Sequence, residues 1–247
     1  MMMVGLKHWF VKWSTARSFL VGTTTGAAST ADPAARRKAG RPRGELLNRP
    51  KIARAALRLV GDRGYDALTM SALAKALGVS ASALYNHVES KQEVLQLVQD
   101  QVMDEVDCSG FATLPLQDAI RRWAASYRDV FARHAPLVPV IAVLQVSGSP
   151  RTLRMYEEVA AGFARAGWET SRIIPAIVAL ESFIFGSALD AVAPQDIFDV
   201  GPLADEVPAF STAVDSQRAT GKDPAQDAFG YGLEALLRGL PAGPGSA

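Results

Sequence analysis

A chain of 247 residues that is 49% hydrophobic and 21% charged can bury a sizeable core, which excludes an intrinsically disordered protein. Its one cysteine, Cys108, can form no disulfide within the chain and has no CxxC partner for a metal, so a reducing, cytoplasmic setting is expected. The net charge of +1 hides an asymmetry: the first 50 residues carry nine Lys and Arg against Asp32 and Glu45, a net of +7 that leaves −6 for the rest, and a basic end on an acidic body points to a polyanion met at that end.

The opening run MMMVGLKHWFVKWSTARSFLVG starts positive and contains apolar residues, but Lys12 and Arg17 interrupt the stretch that a secretory signal needs. It is also too short and too charged to span a bilayer. Trp9, Trp13 and Leu20 would share one face of a helix, which leaves an alternative function: a module that binds a membrane surface or another protein through this end. With TTTGAASTADPAA behind it, residues 1–35 are expected to be a disordered extension or the product of a start codon placed too early. In ARRKAGRPRGE, Arg36, Arg37, Lys38, Arg41 and Arg43 are basic, while Gly40, Pro42 and Gly44 prevent a regular helix. An extended arm of this kind, over residues 36–47, can follow a narrow DNA groove in which the negative potential is concentrated.

From residue 48 the periodicity becomes helical. Ile52, Ala55, Ala56, Leu59 and Val60 form an apolar stripe, with Asn48 as a cap, Pro50 in the first turn, and Gly61 and Gly64 closing the segment. YDALTM leads to a helix over Met70–Leu77, for which Thr69 is the natural N-cap; Ala74 within it and Gly78 past its end permit a close crossing and a turn. In the helix that follows, Leu84 and Val88 face inward, Ser80 or Ser82 caps, and Ser80, Ala81, Ser82, Ala83, Tyr85, Asn86 and His87 are left near the outer surface. This is a helix-turn-helix, in which one helix crosses the DNA backbone and the other enters the major groove.

The run LTMSALAKALGVSASALYNHVESKQEVL resembles the DNA-binding domain of the tetracycline-repressor (TetR) family of bacterial regulators, in which a similar Leu-Tyr-x-His-Val run ends the recognition helix and a Lys opens the next. The likeness is continuous from about Arg49 to Val106. It implies phosphate contacts for Thr69, Tyr85, His87 and Lys91, and places Ser71, Ala81, Ser82, Ala83 and Asn86 where family members approach bases. Ser71 and Ala81 stand where the tetracycline repressor itself has an Arg and a Gln among its base readers. Such small residues are limited to a thymine methyl or single hydrogen bonds, so more of the specificity is expected from the arm and from DNA shape.

Beyond Lys91 a long helix to about Asp107 is expected, completing a DNA-binding domain over residues 48–107. CSGFATLPLQDAI is a break. Ile120, Trp123, Ala124, Tyr127, Val130 and Phe131 then define a helix that ends near His134-Ala135-Pro136, followed by the short apolar segment LVPVIAVLQVSGSP. RTLRMYEEVAAGFARAGW predicts another amphipathic helix with Leu153, Tyr156, Val159, Ala160 and Phe163 aligned, stopped at Gly167. RIIPAIVALESFIFGSALDAVA is the most apolar segment, with Pro175 in its first turns and Glu181 at its centre. It is a poor membrane span and is expected to be buried against a second subunit. GWETSRIIPAIVALESFIFGSAL also resembles the C-terminal domain of the tetracycline repressor, where such a helix and the last one form a four-helix bundle between two copies. That last helix would run from Asp223-Pro224 to about Leu240, closing a domain over 108–240, with 241–247 as a disordered tail. The expected fold is all-α: a three-helix helix-turn-helix head and a helical effector-binding and dimerisation domain.

The stripe Trp123, Tyr127 and Phe131, with Met103, Met155 and Phe183 facing it, would suit a small apolar or aromatic effector. The only histidines are His8, His87 and His134, and the family's metal-binding histidine has no counterpart, so neither magnesium-bound tetracycline nor any other metal is expected. There is no GxSxG, P-loop or GxGxxG run, and Cys108 with His134 would lack an orienting partner, so no enzyme and no cofactor are expected. The resemblance implies a repressor that binds a palindromic operator in double-stranded DNA as a homodimer and leaves it when the effector binds.

Overall fold

The computed structural model describes residues 47–240, and every regular element in that span is a helix. The N-terminal extension, the basic residues Arg36, Arg37, Lys38, Arg41 and Arg43, and the tail from 241 lie outside the described residues.

Helix α1, Arg49–Arg63, begins where the Asn48 side chain accepts the Lys51 N–H at 2.9 Å, with Pro50 at its start. It runs through Gly61 and stops at Gly64, which takes φ +78. A 3₁₀ turn, Tyr65–Ala67, leads to α2, Met70–Leu77, then α3, Ala81–Tyr85, and α4, Lys91–Met103. Ile52, Ala55, Ala56 and Leu59 of α1 bury against α4, whose Val94, Val98 and Val102 are fully buried. Burial of each such side chain contributes roughly 1.5–3 kcal/mol. Helix α4 ends four residues before the expected Asp107, where Asp107 instead accepts from Ser109 and takes a hydrogen bond from the Arg122 guanidinium.

The second part comprises α5 (Gly110–Thr113), α6 (Leu116–Arg133), α7 (Val138–Ile141), α8 (Pro150–Arg165), α9 (Thr170–Asp190), α10 (Pro208–Ala219) and α11 (Pro224–Gly239), with short 3₁₀ turns between them. Helix α9 packs against α6, α8 and α11. The face of α6 is the expected one, Ile120, Trp123, Ala124, Tyr127, Val130 and Phe131, joined by Arg128, whose Nη1 donates to Gln226 Oε1 at 2.6 Å and whose guanidinium lies over the Phe229 ring. On α8 the expected stripe needs correction: Thr152, Met155, Val159 and Phe163 are buried, and Leu153 is 45% exposed. Successive helical residues are rotated by about 100°, and the N–H groups of Arg151 and Thr152 are held by Asp100 of α4, which sets which side of α8 turns inward. Close crossings need glycine at two points. A Cβ on Gly162 would come within 2.5 Å of the Phe111 ring, and one on Gly232 within 2.5 Å of the Phe183 ring.

Helix α9 is the one helix among the described residues that is long and apolar enough to cross a membrane, with a mean hydropathy of 1.7. Its Ile173, Ile177, Leu180 and Ile184 are buried in the chain's own core, while Ile174, Val178 and Leu189 point outward at 61%, 53% and 43% exposure. Helix α10 and the 3₁₀ turn Gly201–Glu206 before it bury no residue, and nothing in the sequence reading anticipated them.

Candidate nucleic-acid interface and the aromatic core

The two short helices of the head are held by local hydrogen bonds. Thr69 Oγ1 accepts the Ala72 N–H at 3.1 Å and starts α2. Gly78, at φ +67 and ψ +31, ends it, its N–H reaching Lys75 O at 3.1 Å while the Val79 N–H reaches Ala74 O. Ser80 Oγ accepts the Ala83 N–H at 3.1 Å and starts α3, so Ser80 rather than Ser82 is the cap. Three residues thus turn the chain between the helices. Leu73, Ala74, Leu84 and Val88 are buried and fix the rotation of both.

That rotation leaves Thr69, Ser71, Ser80, Ala81, Ser82, Tyr85, Asn86 and His87 exposed, with Ala83 partly covered. Tyr85 is 50% exposed, which settles it as a surface aromatic rather than a core one. Helix α3 is only five residues long. The N–H groups of His87 and Val88 both bond to Leu84 O, so Asn86 and His87 sit in the turn after the helix. The hydroxyls of Thr69 and Ser80 accept backbone N–H groups, and each keeps its own O–H to donate.

Lys91 opens α4 behind a cap in which Ser90 Oγ accepts the Glu93 N–H and Glu93 Oε2 accepts the Glu89 N–H at 2.7 Å. Glu93 also pairs with Arg49. The Lys91 ammonium lies 4.1 Å from the centre of the Tyr65 ring, a cation–π contact that the sequence alone did not reveal.

In the second part, Trp123 meets Tyr127 edge-to-face and Tyr127 meets Phe131 at a tilt, at 5.4 and 5.0 Å between centroids, and all three are fully buried. Met103 and Met155 are buried too. Phe183, however, stacks parallel on Phe229 of α11 at 5.6 Å. The α9 aromatic that meets Tyr127 and Phe131 is Phe185, at 5.5 and 5.0 Å. At the centre of α9, Glu181 Oε1 accepts the hydroxyls of Tyr127 at 2.9 Å and Tyr156 at 2.8 Å. Burial raises the Glu181 carboxyl above its ordinary value, opposed by the two tyrosine hydrogen bonds, and burial beside that carboxyl lifts both phenols well above theirs. An acid at the centre of the most apolar segment was the signal visible in the sequence, although its partners were not. A separate groove of about 750 Å³ lies between the end of α9, α10 and the start of α11, lined in part by Ile197, Phe198, Phe210 and Tyr231. Among the described residues no three His, Cys, Asp or Glu gather where they would hold a metal.

Residues 52–98 match the family model of bacterial regulatory proteins of the tetR family, and residues 114–243 match that of the tetracyclin repressor-like C-terminal domain. An HTH-type transcriptional regulator of Saccharopolyspora erythraea is 32% identical over 142 residues, which is 58% of this chain; the chain spans 60% of that relative's length. The class D tetracycline repressor protein of Escherichia coli is 25% identical over 199 residues, 78% of this chain and 89% of that one. Among solved structures, the Streptomyces coelicolor TetR family protein ActR in complex with actinorhodin aligns with a TM-score of 0.66 at 25% identity, over 82% of this chain and 99% of that one. With the helix-turn-helix covered by one family model and the C-terminal helices by the other, the chain belongs to the TetR family of bacterial regulatory proteins.

Proposed function

We propose that this protein is a transcriptional repressor that binds a palindromic operator as a homodimer and is released by a small effector. The observation that carries the reading is the outer surface of the helix-turn-helix, where a buried row of Leu73, Leu84 and Val88 holds small and polar residues outward on a short, capped helix. In this reading Thr69, Ser80, Tyr85, His87 and Lys91 meet phosphates, while Ser71, Ala81, Ser82, Ala83 and Asn86 face base edges. Phosphate contacts set the register and base contacts choose the sequence. The basic arm, with Arg36, Arg37, Lys38, Arg41 and Arg43, supplements them from the neighbouring groove.

The exposed apolar residues of α9 support a second copy as their cover, since Ile174, Val178 and Leu189 share one outer side of the helix and are costly to leave in water. Two heads related by a two-fold axis read two half-sites, hence a palindrome. The aromatic core around Tyr127 is the effector region, and an effector acts by binding one head spacing better than the other.

Selection of random duplex DNA by the purified protein tests this, followed by anisotropy titrations of the enriched duplex at several salt concentrations. A palindrome bound tightly, with a moderate salt slope, supports the regulator; weak binding that is equal on every sequence and vanishes with salt overturns it.

A further inference from the structure

The carboxyl of Glu181 stands in the middle of the most apolar helix of the chain with no countercharge. Both hydrogen bonds to it, from Tyr127 on α6 and Tyr156 on α8, fall on Oε1. Among the described residues, Oε2 has no hydrogen-bond donor and no Lys, Arg or His pairs with the group. A carboxyl buried without a cation resists ionisation, and a cation placed beside Oε2 would relieve that cost. The rings of Tyr127, Phe131 and Phe185 pack on one another in tilted and edge-to-face contacts at 5.0–5.5 Å between centroids, beside the Tyr127 hydroxyl that reaches Glu181, and aromatic rings attract cations at their faces. The Trp123 indole N–H, one ring further along and fully buried, has no hydrogen-bond partner.

We propose that the effector is a protonated amine on an aromatic body, whose ammonium Glu181 receives while the rings of α6 and α9 hold the apolar part. The inference rests on the reading of this core as the effector region and adds the chemical class that the core selects. Neutral analogues of the same shape forgo the ion pair, and carboxylates are repelled by it. The tyrosines hold the carboxylate in one orientation with Oε2 turned to the ligand.

The test uses the full chain and three probes of one shape, naphthylmethylamine, naphthylmethanol and naphthoic acid, with binding read by calorimetry and, separately, by release of the enriched duplex. The amine is expected to bind the wild type at least about tenfold more tightly than the alcohol or the acid, and Glu181→Gln, which still accepts the tyrosine hydrogen bonds, to lose that preference while binding the duplex as before. Glu181→Met serves the same purpose should the amide fail to fold, since an apolar side chain of similar volume is tolerated in such a core. An amine that binds no better than the alcohol or the acid, or a preference that survives both substitutions, overturns the proposal. Calorimetry needs no DNA, so a wild type that prefers the amine yet binds no specific duplex would fail the regulator reading alone.

Discussion

Asp100, on the helix that leaves the DNA-binding head, caps a helix that begins fifty residues later: its Oδ1 accepts the N–H of Arg151 at 2.6 Å and that of Thr152 at 3.2 Å. The residue before α8, Ser149, makes no side-chain cap of its own and turns its hydroxyl back to Gln96 O and Gln99 Oε1. Pro150 has no N–H to satisfy, so one carboxylate serves the first free donors of α8. Asp100→Ala is expected to cost about 1–2 kcal/mol by analogy with lost N-caps, and Asp100→Asn less, since an acceptor remains. Thermal unfolding of the two variants in parallel checks the order.

Gly162 lies where α8 crosses Phe111, and a methyl there would sit 2.5 Å from the ring. Gly162→Ala is therefore expected to destabilise by about 1–3 kcal/mol through overpacking, partly offset by up to about 1 kcal/mol of helix propensity. Adding Phe111→Leu should return part of the loss. A double mutant no more stable than the sum of its parts would show that the two do not meet.

The Lys91 ammonium rests on the ring of Tyr65. If it meets a phosphate, Lys91→Ala weakens every duplex by a similar factor and lowers the slope of log K against log salt by about 0.9. An unchanged slope removes Lys91 from the interface.

The folded pKa of Glu181 lies above its ordinary value of 4.5, with burial as the main cause. The folded state then binds more protons than the unfolded one between 4.5 and the raised value, so stability from this group is complete below 4.5 and falls as pH rises through that window. The groups facing it, Tyr127 on α6 and Tyr156 on α8, are themselves pushed upward and stay neutral there. Glu181→Gln should remove this slope, so that its melting temperature gains on the wild type as pH is raised above 4.5. A difference between the two that is constant with pH would show that the carboxyl is not raised. Asp107 works the other way: its hydrogen bonds from Ser109, with Arg122 adding, hold it below 3.8, and its contribution fades only as pH drops through that lowered value.

Val178, 53% exposed on the outer face of α9, tests the proposed dimer. Val178→Glu is expected to yield a monomer of unchanged helicity that binds the operator far more weakly, measurable by light scattering and circular dichroism. A dimer of wild-type affinity would place the interface elsewhere.

Much of the head was legible because its boundaries are set within four residues. Thr69, Gly78 and Ser80 mark helix ends by bonding to their own neighbours, and Asp223 does the same for α11 through the N–H groups of Ala225 and Gln226. Those contacts depend on residue type and spacing alone, so the amino-acid order by itself determined them, along with the all-helical class and the family. Other features needed distances that no local pattern carries. Periodicity showed that α8 was amphipathic but left its rotation open by a residue, and the bond from Asp100 decided for Thr152 over Leu153. The choice of Phe185 over Phe183 beside Tyr127 follows from how α9 crosses α6 and α11. Glu181 meets hydroxyls that are 54 and 25 residues away in the chain, an encounter that exists only once three helices have packed. Caps and stripes are properties of a segment, whereas the site at Glu181 is a property of crossing angles, which only the tertiary structure decided.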